Sequence, residues 1–147
     1  MNLSVKHLEI YSDGGSRGNP GPAAIGYVAY ANQELLYQGS LYIGSATNNI
    51  AEYLAIYHAL NQLSQQKITP RHISCFLDSE LVVKQLRGEY KIKSPHLLEI
   101  NQRIKQLIKA IINQGVKTIN FNHIPRAQNK IADSLVNQAL DHPSLNG

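Results

Sequence analysis

The chain has 147 residues, 43% hydrophobic and 16% charged, so one compact domain with its own core is expected and a disordered basic tail protein is excluded. Lys and Arg number 14 against 10 Asp and Glu, a formal net charge of +4 that permits a nucleic-acid partner without requiring one. The lone cysteine, Cys75, excludes disulfide scaffolds and multi-cysteine zinc sites. No run approaches the roughly 20 apolar residues of a membrane span. The opening MNLSVKHLEIYSDGG lacks a signal-peptide pattern. A cytoplasmic monomer without membrane contact is therefore expected, as one domain over 1–142 and a short tail at 143–147.

Residues 5–13 alternate, with Leu8 and Ile10 on one face, and predict a first strand ending at the turn-rich DGGSRGNPGP. Residues 23–31 and 35–43, rich in Tyr, Val and Ile, predict two further strands of an antiparallel meander around Asn32-Gln33-Glu34. The period then changes. From Thr47 to about Gln66 there is no Gly or Pro, and Ala51, Ala55 and Ala59 recur at helical spacing, with Asn48 or Asn49 as candidate cap. Residues 72–78 (HISCFLD) read as a strand buried on both faces. Helices are expected at about 79–87 and 95–113, a strand at 117–124 and a last helix at 128–140. The order implies an α/β fold whose mixed five-stranded sheet joins a three-strand antiparallel meander to two parallel strands flanked by helices.

Four of the acids sit where acids are not usually placed. Asp13 ends the first strand and Asp78 closes the apolar run ISCFL. Glu52, in the first helical turn, heads the stripe Ile56, Ala59, Leu63, and Asp133 precedes Val136 and Leu140 on a second stripe. Singly, each has an ordinary explanation as a turn former, an N-cap or a dipole partner. Together they predict carboxylates converging at one end of a sheet. Like charges that close either raise one another's pKa or are neutralised by cations. An all-oxygen cluster suits Mg²⁺, with Mn²⁺ as substitute, and two such ions about 4 Å apart support phosphoryl transfer. A metal-dependent phosphodiester enzyme is the function this pattern predicts.

At these residues the chain resembles the type I ribonuclease H family. The likeness is carried, in order, by YSDGGSRGNPGPAAIGYV, TNNIAEYLAIYHAL, LDSELVVKQLRGEYKIK and HIPRAQNKIADSLVNQAL, spanning about residues 8–140. It implies a ribonuclease H fold and endonucleolytic cleavage of the RNA strand of RNA/DNA hybrids, leaving 3′-hydroxyl and 5′-phosphate ends. The family's four metal-holding carboxylates match Asp13, Glu52, Asp78 and Asp133, and His123 matches a histidine thought to assist proton transfer or product release. An imidazole can do so because it changes charge near neutral pH.

Telling RNA from DNA requires short polar groups that read the 2′-hydroxyl. The loops holding Gly14, Gly15, Ser16 and Asn19, and Thr47, Asn48 and Asn49, supply them, and similar family positions line the minor groove with Thr47 near a DNA phosphate. Arg126 and Asn129, in the RxxNxxAD pattern, join the implied substrate contacts. RGEYKIKSP crosses directly between helices where many bacterial relatives insert a basic protrusion, which points to the shorter archaeal-type branch. Glu80 stands where many of those relatives have Gln. Cleavage of double-stranded RNA, known in some short members, stays open. A non-catalytic binding module usually lacks one of the four carboxylates, and a junction nuclease or integrase-like transferase fits TNNxAE and RxxNxxAD poorly.

The charge is also segregated. Ten of the 14 basic residues fall between Lys84 and Lys130, against only Glu89 and Glu99. A basic surface that tracks phosphates makes binding salt-sensitive.

Overall fold

The three N-terminal strands form as an antiparallel meander in the computed structural model, which describes residues 5–66 and 68–143. They are β1 (His7–Ser16), β2 (Gly21–Ala31) and β3 (Glu34–Ala46). β2 and β3 are joined by Asn32 and Gln33, both with positive φ (52° and 71°), as the two-residue turn of a right-twisted hairpin requires. Helix α1 (Asn48–Gln65) leads to β4 (His72–Leu77), which pairs parallel to β1. Helices α2 (Glu80–Leu86) and α3 (Pro95–Asn113) precede β5 (Thr118–His123), parallel to β4, and α4 (Lys130–Asp141) follows. The strand order is β3-β2-β1-β4-β5, the mixed sheet expected.

α1 owes its placement to a nearly continuous buried face of Ala51, Tyr53, Ala55, Ile56, Ala59, Leu60 and Leu63, which packs on Leu8, Ile10 and Ile25 of the sheet and on Ile100 and Ile104 of α3. Each fully buried aliphatic side chain there contributes roughly 1.5–3 kcal/mol. Two tyrosine hydroxyls drawn into this layer are satisfied, since an unbonded buried hydroxyl is costly. The Tyr53 hydroxyl donates to Gln85 Oε1 at 2.7 Å and the Tyr37 hydroxyl to the Ala59 carbonyl at 2.8 Å. On the other face, Ala24, Val136 and Ala139 form a smaller cluster beneath α4, with Leu140 packed against it.

Three expectations are corrected. β1 does not stop at Asp13 but continues through Gly14-Gly15-Ser16, paired with Ile25, Ala24 and Ala23, so the turn is confined to 17–20. The cap of α1 is Thr47, whose hydroxyl accepts from the Ile50 amide at 3.2 Å, while the Asn48 side chain is committed elsewhere. The last helical segment is two pieces, a 3-10 turn at Arg126–Gln128 and α4, separated by the non-helical Asn129. Residues 87–94 link α2 to α3 without an intervening helix. The tail expected at 143–147 lies, beyond 143, outside the described residues. Among the described residues no helix is long and apolar enough to cross a membrane.

Two glycines let both helical layers approach the same point of the sheet. A Cβ on Gly14 would lie 2.2 Å from the Ala51 carbonyl carbon and 2.5 Å from the Glu52 nitrogen of α1. One on Gly26, the cross-strand partner of Asp13, would lie 2.4 Å from the Ala132 carbonyl oxygen of α4. Residues directly opposite in an antiparallel pair share a face. Asp13 and Gly26 therefore face α4 while Gly14 and Ile25 face α1, and the sheet is pinched between two helix backbones at Asp13.

Candidate active site

Each acid reaches the site for a local reason. Asp13 is carried by β1 at the centre of its buried stretch Ser12–Gly14, and Asp78 follows the last residue of β4. Glu52 is the fifth residue of α1, just past the first turn where it was expected, and is only 7% exposed because the Gly14 contact draws the helix onto the strand. Carboxylate oxygens of Asp13, Glu52 and Asp78 lie within 4.8 Å of one another. Asp133, in the first turn of α4, stands beside Asp13 and lines the same cleft of about 420 Å³.

The electrostatics follow from this crowding. Burial, then the charges of Asp78 and Asp133, pushes the Asp13 carboxyl up to about 7. Burial, then Asp13 and Asp78, raises Glu52 well above the usual carboxylate range, partly offset by a hydrogen bond from the Gly14 amide. Glu52 Oε2 is buried with no hydrogen-bond partner. An orphaned carboxylate oxygen among mutually repelling acids is what a divalent cation would satisfy, and hard oxygen donors fit Mg²⁺ or Mn²⁺ in charge and chemistry.

The β1–β2 turn is tied to the start of α1. Asn48 Oδ1 accepts from the Ser16 amide at 2.9 Å, and the Asn48 amide donates to Asn19 Oδ1 at 3.0 Å. Gly14, Gly15, Ser16, Asn48 and Arg126 line the cleft with the acids. Asn19, Thr47 and Asn49 do not; the first two fix the loop and the cap, and Asn49 is half-buried in the first turn of α1. Exposed His123 ends β5 in register with Leu77, outside the cleft. Asn129 is 1% exposed and faces Asp78 from within the protein. The sequence did not single out Ser79, Arg17 or Asn137 as cleft residues. Asn137 was traceable, since it lies one helical turn after Asp133 and donates to Asp133 Oδ2 at 3.5 Å.

Gly14→Ala is expected to destabilise the fold by about 1–3 kcal/mol or more, because its Cβ meets helix backbone that no rotamer change can move. Chemical denaturation checks this, and a stability within 0.5 kcal/mol of the parent, a margin typical of innocuous surface changes, would contradict the pinch.

A family profile described as "Reverse transcriptase-like" matches residues 11–139. A bifunctional protein of Mycobacterium tuberculosis is 38% identical over 134 residues, covering 90% of this chain and 35% of that protein. Ribonuclease HI of Halobacterium salinarum is 40% identical over 135 residues, covering 91% of this chain and 64% of its own. The chain thus spans between about a third and two thirds of the length of these relatives. Among solved structures, LC11-RNase H1 from compost, in complex with an RNA/DNA hybrid, superposes with a TM-score of 0.81 at 42% identity, over 92% of this chain and 98% of that one. By sequence and by fold, the chain belongs to the type 1 ribonuclease H family.

Proposed function

We propose that the protein is a metal-dependent endoribonuclease that hydrolyses the RNA strand of RNA/DNA hybrids, leaving 3′-hydroxyl and 5′-phosphate ends. The observation that carries this is the group of buried Asp13 and Glu52 and half-buried Asp78, with Asp133 beside it, open to a cleft edged by backbone and short polar side chains. Asp13 and Asp78 would hold the ions, Glu52 and Asp133 completing two sites. Two Mg²⁺ or Mn²⁺ ions would supply an activated water and neutralise the departing oxygen.

The protein's own groups account for the rest. Protons retained by the crowded acids leave when cations enter, so affinity for metal rises with pH across the neutral range. Gly14 and Gly15 leave room for a sugar-phosphate backbone close to the acids, and Ser16 and Asn48, held in one arrangement by their hydrogen bond, put polar groups in the cleft that could read a 2′-hydroxyl. Arg126 at the rim provides a cation for a phosphate. His123 stands outside the cleft beyond Asp78, suited to exchange protons with solvent or to ease product out. Lys91, Lys93, Arg103, Lys105 and Lys109 are exposed and give the phosphate backbones a basic surface.

The test is cleavage of matched hybrid, duplex RNA, duplex DNA and a four-way junction in Mg²⁺ and in Mn²⁺. Hybrid cleavage confined to the RNA strand, with 3′-hydroxyl ends, is expected. An intact hybrid, or cutting of the junction alone, would overturn the proposal.

A further inference from the structure

Asn129 stands at the N-cap position of α4, yet its side chain makes no capping bond. Both hydrogens of its amide are directed at other oxygens. Nδ2 donates to the Ser12 carbonyl at 2.9 Å and to Asp78 Oδ2 at 3.1 Å. The orientation is forced, because a flipped amide would set Oδ1 against two acceptors. The cost is visible: Oδ1 is buried with no hydrogen-bond partner. The Asn129 carbonyl meanwhile accepts from the Asp133 amide at 3.1 Å, which starts α4. One residue therefore refers the strand position just before Asp13, the carboxylate of Asp78 and the backbone of Asp133 to a common point.

We propose that Asn129 is a positioning residue for the metal site, locking one oxygen of Asp78 and leaving the other for an ion, and that it does not touch the nucleic acid. The proposal rests on the metal-dependent function given above. Its burial argues for it, since a residue 1% exposed offers almost no surface to a substrate. Capping does not explain the side chain, and packing alone does not explain a neutral donor aimed at a carboxylate while its own oxygen is stranded. Groups that hydrogen-bond a metal ligand set its orientation, and their loss commonly lowers metal affinity 10–100-fold.

Mn²⁺ binding to the nucleic-acid-free protein, measured by calorimetry, tests this. Asn129→Ala is expected to weaken binding roughly 10–100-fold and to lower kcat on the hybrid, with KM changed less than about twofold. Unchanged Mn²⁺ affinity, or a raised KM with metal binding intact, would overturn the proposal. Should that variant fail to fold, the parent protein decides. The Asn129 side-chain amide resonances are expected to shift on addition of Mg²⁺ without nucleic acid, and unmoved resonances would refute the role. A parent protein that binds metal in this way but leaves hybrids uncut would sink the proposed activity and not the positioning.

Discussion

Asp13→Asn or Asp78→Asn is expected to lower hybrid cleavage by roughly 10³-fold or more, about 4 kcal/mol of lost transition-state stabilisation, while the fold persists. Both side chains belong to the set of oxygens within 4.8 Å of one another, so each removed charge deprives the cluster of the density that would hold two divalent ions. The replacement amide is nearly isosteric, and at position 78 it retains an oxygen able to accept from Asn129. Circular dichroism spectra should therefore resemble the parent's, which separates lost chemistry from lost structure. Undiminished turnover in either variant would end the two-ion proposal.

The second large effect is on stability without metal, and it has the opposite sign. Asp13 ordinarily titrates near 3.8 but is held up to about 7 in the folded chain, by burial first and by Asp78 and Asp133 next. A group with a raised folded pKa binds a proton that the unfolded chain has already released. Its stabilising effect is complete below about pH 4 and is lost as pH rises through about 7. A shift of this size corresponds to at most roughly 4 kcal/mol. Since 1 kcal/mol moves Tm by about 2–4 °C at this chain length, metal-free Asp13→Asn should melt several degrees above the parent at pH 8 and close to it at pH 4. Saturating Mg²⁺ or Mn²⁺ should stabilise the parent more than the variant at pH 8 and so narrow or reverse the gap. Parallel Tm profiles for the two proteins across this range would show that Asp13 is not strained by its neighbours.

Much of the site was legible because the acids break a pattern. Glu52 heads an apolar stripe, Asp133 flanks one, and Asp13 and Asp78 end apolar strands, so each announces itself against the periodicity around it. The sequence of strands and helices along the chain followed from the switch between period two and helical spacing. What the sequence hid depends on contacts across long separations. Asp-Gly-Gly-Ser is good turn chemistry, and only the ladder with Ile25, Ala24 and Ala23 together with the approach of α1 keeps it extended. Asn48 is a sound cap locally, but Ser16 claims its oxygen and leaves Thr47 to do the capping. Asn129 is likewise a plausible surface contact until the fold buries its amide against a strand carbonyl 117 positions earlier in the chain.

The pinch at Asp13 bears on how the protein is made. Its four acids arrive on β1, α1, the end of β4 and α4, spread from position 13 to 133. The first three are encoded well before α4, and the fourth joins them only once α4 has been made and has settled against Gly26. Translation order thus makes the complete set of carboxylates the last feature of this domain to assemble.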